Sequence, residues 1–403
     1  MTEKLTKITL PQLKLGMYVV SIVNPKKNIN IKSEGYISSQ TTIEKLKKSG
    51  IKHLTIDASK TKKESTSIIV DPPKEKPNKT ELPQQQKVSF SAEMNNAKVL
   101  YNDAKVLQKK LLHDISKDKQ LDMETIHNTT NAIVDSVFKN EDALACLSRL
   151  RVKDEYLIEH SLNVAILMSI FAKHLKVEKV IIEQLALGAF LHDIGKIKVP
   201  DTILHKPGKF TDDEYEQMKK HVEYGVEIIS QETHISAISH SVVKLHHERV
   251  DGNGYPSKVP GEELDSYARM IAIVDSYDAM TADRVYKKGM APIKAFKILR
   301  SEDNTGYDKE LVEQFIQCLG IYPVGTLVKL ASGKLGLISA LNNSKPLNPF
   351  VKVFYNARLN QAIPIKEIDL SLGKHHDQIE SCIRPEDFSL NLLGFFKMAF
   401  IDQ

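Results

Sequence analysis

The chain has 403 residues, of which 41% are hydrophobic, and its formal net charge is +5. A chain of this length can form two or three domains with sizeable cores. So small a net charge gives no sign of the concentrated basic face that is typical of proteins binding nucleic-acid polymers. We therefore expect a globular protein that binds no nucleic-acid polymer.

Signals for membrane insertion or export are missing from the sequence. The longest apolar runs, such as residues 162–172, are shorter than a bilayer-spanning helix requires. Residues 1–4 lack the apolar core of a signal peptide. Cys146, Cys318 and Cys382 are scattered and odd in number, which argues against a disulfide framework. We expect a cytoplasmic protein without membrane insertion, whose thiols are reduced.

Residues 1–58 have the pattern of a small α+β accessory module. A turn at Gly16 leads into a predicted strand within residues 13–20, a polar helix is predicted near 42–48, and residues 51–57 alternate as a half-buried strand does. No chemistry-bearing cluster occurs here. The module is interpreted either as a regulatory or docking element that binds a protein partner, or as a stabilising appendage.

The composition changes twice between residues 59 and 149. Residues 59–90 are rich in Lys, Pro, Ser, Thr and Gln, which is typical of a flexible linker that cannot bury enough apolar surface to fold. Residues 91–149 contain no proline or glycine, and their apolar positions recur at helical spacing. We expect a helical lead-in to the next domain, and hypothesise that it pairs with a second subunit in a homodimer.

Residues 150–320 are interpreted as a central domain that contains several apolar helices. His160 shares the buried stripe of a helix with Val164, and a second apolar helix runs through Leu185 to His192 and Asp193. One histidine on such a stripe is more often a core residue than a ligand. Two inward histidines with an adjacent carboxylate favour a metal site, in which the carboxylate can bridge two ions.

Further histidines follow at helix ends. The adjacent pair His246 and His247 cannot point the same way on a regular helix, but both can converge where a helix ends in a glycine-rich loop. Five imidazoles and two carboxylates gathered in one pocket would hold two first-row metal ions. The predicted ligands are His160, His192, Asp193, His221, His246, His247 and Asp275.

The order of these residues resembles the ligand pattern of the HD superfamily of metal-dependent phosphohydrolases. The segments that further resemble the HD-GYP subfamily are residues 191–196, His221, residues 246–256 and residues 275–281. The resemblance implies an all-α catalytic domain with a two- or three-metal centre that hydrolyses cyclic di-GMP to linear pGpG, and in some members on to GMP. Residues 13–20 also resemble a small domain of unknown function that precedes some HD-GYP domains, and residues 322–328 resemble a tail that follows them.

Three positions depart from the family pattern. Tyr156 stands where some members carry a glutamate that helps to hold a third metal, and Glu155 is displaced by one position. We therefore predict two metal ions. Valine replaces proline at Val222 and Val285, whereas Arg284, which the resemblance implies to face substrate phosphate, is retained.

The ligand set favours two divalent transition-metal ions, iron or manganese. Imidazole nitrogen and carboxylate oxygen without thiolate suit these metals, and are too rich in nitrogen for calcium or magnesium. Two such ions would lower the pKa of a bridging water and provide hydroxide at neutral pH. In this scheme Asp193 is shared between an ion at His160, His192 and Asp275 and an ion at the other three histidines.

Substrate contacts are predicted around this centre. Lys196 neutralises phosphoryl oxygens or protonates the leaving ribose oxygen, so that Asp193 and Lys196 are the predicted catalytic residues. Arg284 and Lys287 would bind the second phosphate. Gly254 and Tyr255 would shape the substrate wall, although their loop is also compatible with a structural turn.

Residues 321–403 change to a β-rich pattern. Strands are predicted at 326–331, 335–341 and 350–355, and the extension is interpreted as packing against the catalytic core or modulating substrate access. The overall fold class is mainly α. Histidines outside the ligand pattern are interpreted as surface or capping groups: His174, His205, His234, His240, His375 and His376.

Three functions remain open from the sequence. The first is a dimetal phosphodiesterase acting on cyclic di-GMP. The second is a catalytically weak cyclic di-GMP receptor or scaffold, which the intact ligand set disfavours. The third is an HD phosphohydrolase that acts on another cyclic dinucleotide.

Overall fold

The computed structural model describes residues 5–14, 17–23, 30–36, 51, 53–57, 88–149, 156–283, 288–342, 344–372, 377–388, 394–396 and 400. The chain divides into two compact units, Met1–Thr80 and Glu81–Gln403. The described part of the larger unit is mainly helical, and each unit contains a small sheet. The mainly α fold class predicted from the sequence is thereby confirmed. The predicted linker lies outside the described residues from 59 to 87.

The smaller unit contains an antiparallel sheet with strand order β1-β4-β2-β3. Its strands are β1 (Leu5–Thr9), β2 (Tyr18–Val23), β3 (Asn30–Tyr36) and β4 (His53–Asp57). The strands expected within residues 13–20 and 51–57 correspond to β2 and β4, whereas β1 and β3 were not predicted. Leu54 and Val19 belong to its small buried core. Gly16 and the predicted helix at 42–48 lie outside the described residues.

The larger unit is built around helices that the sequence marks by apolar periodicity and by caps. The described helices are α1 (Phe90–Ser116), α2 (Met123–Leu147), α3 (Tyr156–His174), α4 (Lys179–Leu191), α5 (Asp201–Leu204), α6 (Asp212–Lys219), α7 (His221–Ser230), α8 (Ala237–Leu245), α9 (Ser266–Thr281), α10 (Pro292–Arg300) and α11 (Lys309–Leu319). Among the described helices, none has both the length and the apolar content of a membrane span.

Caps fix where the helices around the site begin. Thr211 and Glu214 form a capping box at the start of α6, and the side chains of Ser236 and Asp265 accept backbone hydrogen bonds at the starts of α8 and α9. A 3-10 segment, Ile194–Lys198, follows α4. These boundaries place the candidate ligands within or next to helix ends.

The C-terminal part of the larger unit forms an antiparallel sheet with strand order β8-β7-β6-β5-β9. Its strands are β5 (Leu327–Leu330), β6 (Lys334–Ala340), β7 (Phe350–Asn356), β8 (Gln361–Asp369) and β9 (Ile379–Cys382). The three predicted strands correspond to β5, β6 and β7. Buried residues of this sheet share one hydrophobic cluster with the helices. Gly325 has φ +82°, and a Cβ there would lie 2.9 Å from Sγ of Cys146, so this close approach requires glycine.

Candidate functional site

The seven predicted ligands lie together at the ends and faces of five helices. They form two groups, and within each group the candidate ligand atoms lie within 4.8 Å of one another. One group contains His160, His192 and Asp275, and the other contains Asp193, His221, His246 and His247. Six of these residues are buried, whereas the side chain of His247 is 25% exposed. We call the two groups together the histidine cluster.

Helix ends orient three of the imidazoles. The last carbonyls of a helix lack intrahelical partners, and an imidazole just beyond the helix can donate to them. His192 and His246 directly follow α4 and α8, and His221 lies two residues beyond α6. The Nδ1-to-oxygen distances are 2.7 Å from His192 to Ala189, 2.7 Å from His221 to Met218 and 2.8 Å from His246 to Val243.

These hydrogen bonds determine the tautomers. A carbonyl oxygen only accepts, so Nδ1 carries the proton and Nε2 of each neutral ring has a free lone pair. The Nε2 atoms of His221 and His246 are 3.3 Å apart, which brings two acceptors together with no proton between them. Nε2 of His192 is buried and has no hydrogen-bond partner among the residues that the structure describes. Lone pairs that face one another in this way are stabilised by a positively charged partner between them. A metal ion bound by these nitrogens is such a partner.

His160 is held from both sides of its ring by carboxylates. Its Nε2 lies 2.9 Å from Oδ1 of Asp275, and its Nδ1 lies 2.7 Å from Oδ2 of Asp278. Burial lowers the pKa of His160, but the hydrogen bonds to the two carboxylates outweigh it and raise the pKa to about 9. Asp278 was missed in the sequence analysis. Its signal was its place one turn after Asp275 on the same helical face.

Asp193 lies between the two groups. Its Oδ2 is 3.5 Å from Nε2 of His160, and its Oδ1 is 3.4 Å from Nε2 of His221. Lys196 places its Nζ 2.5 Å from Oδ2. Oδ1 is buried and has no hydrogen-bond partner in the described part of the chain. Burial raises the pKa of Asp193, but the charges of Lys196 and His192 outweigh it and hold the pKa well below its usual value.

Burial lowers the pKa of three other histidines of the cluster. It lowers the pKa of His221 to about 4, with the charge of Lys196 acting in the same direction, and it lowers the pKa of His247 to about 3. The pKa of His246 is also held well below its ordinary value by burial. Neutral imidazoles are the form that binds metals. Three of the five imidazoles are thus in the metal-binding form at neutral pH, whereas His160 must release a proton when it binds a cation.

A close backbone approach brings Asp193 to the second group. A Cβ on Gly195 would lie 2.0 Å from the carbonyl oxygen of His221 and 2.4 Å from the backbone nitrogen of Gly225. Only glycine lets the 3-10 segment after Asp193 pack so tightly on α7. The predicted bridging position of Asp193 therefore depends on a residue without a side chain.

The loop after α8 packs against the histidine cluster. Tyr255 stacks on His247, with ring centroids 4.5 Å apart and an interplanar angle of 29°. Gly254 is buried, and a Cβ there would lie 2.5 Å from the backbone nitrogen of Arg249. The buried carboxylate of Glu248 accepts hydrogen bonds from the backbone nitrogens of Ser257 (2.8 Å) and Val259 (3.1 Å). Glu248, missed in the sequence analysis, holds this loop in place.

The other residues named in the sequence analysis fall into two sets. Arg284, Lys287, Glu155 and the side chain of Tyr156 fall outside the described residues, as do His375 and His376. His174, His205, His234 and His240, which the sequence left outside the ligand pattern, belong to neither ligand group.

Comparisons with known proteins identify the family of this chain. A family profile for the HD domain matches residues 145–311, and one for a domain of unknown function (DUF3391) matches residues 5–126. A Pseudomonas aeruginosa protein named as a cyclic di-GMP phosphodiesterase is 34% identical over 381 residues, covering 93% of this chain and 91% of that protein.

Two further relatives match shorter stretches. A Thermotoga maritima cyclic di-GMP phosphodiesterase is 34% identical over 184 residues, covering 45% of this chain and 50% of that protein. A 3'3'-cGAMP-specific phosphodiesterase of Vibrio cholerae is 38% identical over 128 residues, covering 32% of this chain and 24% of that protein. The HD-domain profile matches this chain, and the Pseudomonas relative aligns along almost its whole length. This chain therefore belongs to the HD-GYP family of metal-dependent HD-domain phosphohydrolases.

Proposed function

We propose that the chain is a phosphodiesterase that hydrolyses cyclic di-GMP to linear pGpG. The Pseudomonas relative is named as a cyclic di-GMP phosphodiesterase and aligns over 93% of this chain. Cleavage of the remaining phosphodiester of pGpG would give GMP. The histidine cluster supplies the donor set that such a hydrolysis requires.

One observation supports the chemistry most directly. Nε2 of His192 and Oδ1 of Asp193 are buried without hydrogen-bond partners, although both are strong acceptors. Unpaired acceptors of this kind are costly in a protein interior unless a cation pairs with them. The Nε2 atoms of His221 and His246 are 3.3 Å apart, and a cation bound by both would likewise stabilise their lone pairs.

Two divalent ions, iron or manganese, are proposed as the cofactors. His160, His192 and Asp275 would hold one ion, and His221, His246 and His247 the other, with Asp193 reaching both groups. Bound ions of this kind lower the pKa of a coordinated water and stabilise charge that develops on phosphate oxygens.

The chain's own residues position and neutralise the substrate. Lys196 is partly exposed and its ammonium already lies at the Asp193 carboxylate, so it places positive charge beside a phosphate held at the histidine cluster. From this position Lys196 can also protonate the departing ribose oxygen. Arg284 and Lys287 are proposed to bind the second phosphate, and Tyr255 with Gly254 to line the substrate site.

A second candidate substrate is another cyclic dinucleotide. The observation that favours it is the Vibrio cholerae relative, which is named as specific for 3'3'-cGAMP and is 38% identical over 128 residues. That match covers 32% of this chain, far less than the Pseudomonas relative. Cyclic di-GMP is therefore the primary proposal.

The experiment is hydrolysis by the purified full chain. Cyclic di-GMP and 3'3'-cGAMP are incubated separately with Mn²⁺ or Fe²⁺, and the products are separated by chromatography. We expect pGpG from cyclic di-GMP with at least one of the metals. Tight binding without turnover under either metal would instead identify a receptor.

An Asp193→Ala variant tests the shared carboxylate. Loss of partners outside the ligand shell already costs about 10- to 100-fold in metal affinity or activity. Removal of a direct ligand should therefore cost more than about 100-fold in turnover and also lower metal content. The matched control is Asp201→Ala, because the Asp201 side chain is 93% exposed and lies outside both groups.

We also propose a homodimer formed through the helical lead-in, and a protein partner for the N-terminal module. Val99 and Val106 are 61% and 66% exposed on α1 and are spaced by two helical turns, so they lie on one face. Light scattering of the full chain and of a Val99→Glu, Val106→Glu double variant tests the dimer. A monomeric parent chain would contradict it.

A further inference from the structure

Two tyrosines and a lysine continue the histidine cluster outward. Tyr215 and Lys219 lie on α6, and the Tyr215 ring contacts that of Tyr255 edge-on, with centroids 6.4 Å apart. Nζ of Lys219 lies 5.1 Å from the Tyr215 centroid and 5.8 Å from the Tyr255 centroid. Tyr255 stacks in turn on His247. We call Tyr215, Lys219 and Tyr255 the aromatic ledge.

Core packing does not account for this arrangement. Helix α6 has no buried residue, and the Tyr215 side chain is 47% exposed. Lys219 also contacts the Glu216 carboxylate and is 22% exposed. A large aromatic ring left half in solvent beside a catalytic cluster offers a flat apolar face to a ligand.

We propose that the aromatic ledge binds a purine base of the dinucleotide substrate and that Lys219 favours guanine. The proposal deepens the proposed function and rests on it. Each phosphate of a cyclic dinucleotide links two riboses, and each ribose carries a base. A base therefore lies near any phosphate that is bound at the histidine cluster. A purine can stack on Tyr215, as bases do on exposed aromatic side chains.

Lys219 supplies the choice between purines. Guanine presents two acceptors, O6 and N7, whereas adenine presents one acceptor and an amino donor at the corresponding edge. An ammonium group can only donate hydrogen bonds. Lys219 can therefore donate to O6 and N7 of guanine, whereas the amino group of adenine would place a second donor against it. Stacking alone tolerates every base. Tyr215 therefore sets affinity, and Lys219 sets the preference for guanine.

Steady-state kinetics of the full chain tests both roles. Tyr215→Ala is expected to raise KM for cyclic di-GMP and cyclic di-AMP by roughly tenfold, with kcat within about twofold, because a stacking contact is made equally before and during reaction. Tyr215→Phe, which keeps the ring, should restore KM. Lys219→Met should raise KM for cyclic di-GMP more than for cyclic di-AMP. Lys220→Met, at the adjacent exposed lysine, is the matched control.

A second measurement does not depend on turnover. The chain is labelled with 3-fluorotyrosine, the Tyr215 resonance is identified by its loss in Tyr215→Phe, and GMP is added. We expect the Tyr215 resonance to shift. Hydrolysis in the wild type with an unchanged Tyr215 resonance and unchanged KM in Tyr215→Ala would overturn the ledge and leave the proposed function standing. A shifted resonance without hydrolysis would support the ledge while contradicting the proposed function.

Discussion

The carboxylate of Asp278 lies 2.7 Å from Nδ1 of His160, on the side of the ring opposite the nitrogen that meets Asp275. When a metal ion replaces the proton on Nε2 of His160, this contact keeps the remaining proton on Nδ1 and makes Nε2 a better electron donor, as carboxylates do behind metal-binding imidazoles. The site therefore uses a charged residue that is not itself one of the seven candidate ligands.

An Asp278→Asn variant is expected to bind metal about 10- to 100-fold more weakly, because the amide can accept the hydrogen bond without supplying negative charge. Titration with Mn²⁺ against a competing chelator measures the change. Asp303→Asn, at an exposed carboxylate before α11, is the control. Equal affinity in the two variants would show that Asp278 does not support the metal site.

A Gly195→Ala variant should lose about 3 kcal/mol or more of unfolding free energy, since the added methyl group meets the backbone of His221 and Gly225. Gly225→Ala is the matched test. Its Cβ has no neighbour nearer than 3.4 Å, and alanine favours the helix by about 0.5–1 kcal/mol. Urea denaturation of both variants measures the difference. Similar stabilities would mean that the tight approach relaxes easily.

A Glu248→Gln variant is expected to loosen the loop that carries Tyr255. Both carboxylate oxygens accept backbone hydrogen bonds, and the glutamine amide would set an N–H group against one of those donors. Hydrogen exchange at the amides of Ser257 and Val259 should become faster, whereas exchange in the helices should change little. KM for cyclic di-GMP should rise. Unchanged protection at these amides would refute the role of Glu248.

The metal-free protein should be most stable near neutral pH. The pKa of His221 is lowered to about 4, so the unfolded chain binds the extra proton as pH falls below 6.5 and the folded state loses stability. His247, with a pKa of about 3, acts the same way. The pKa of His160 is raised to about 9, so its contribution is present below 6.5 and is lost as pH rises towards 9.

Urea unfolding of the chelator-treated chain at about pH 5, 6.5 and 8.5 would measure this dependence. We expect a maximum at the middle value. Added Mn²⁺ should deepen the loss at low pH, because protons compete with metal for the same imidazoles. A free energy of unfolding that only rises or only falls from the lowest to the highest pH would contradict the opposite pKa shifts assigned to His160 and to His221 with His247.

The sequence predicted the helices around the site because their apolar stripes are unambiguous. His160 and Asp275 interrupt such stripes, and Asp193 directly follows a histidine at a helix end, so these residues stand out against apolar neighbours. Polar ligands on buried faces need partners, and the nearest available partners were one another. This local logic, together with the family resemblance, predicted that these side chains lie close together, as they do in the structure.

Other features depend on contacts between distant segments. Glu248 is buried because the loop through Ser257 and Val259 returns to it, and no periodic pattern marks that return. Strand β8 was missed because it contains Pro364 and is largely exposed, which removes both the alternation and the apolar content of a half-buried strand. Its membership of the sheet comes from pairing with β7.

Three of the cluster's imidazoles are aligned by main-chain oxygens, and His160 alone among these four is aligned by an acid. Substitution cannot delete a peptide oxygen. Neighbouring side chains along α4, α6 and α8 can therefore diverge between relatives while His192, His221 and His246 keep their orientation. Asp278 is instead the position at which a substitution can change how strongly His160 donates electrons to a bound metal.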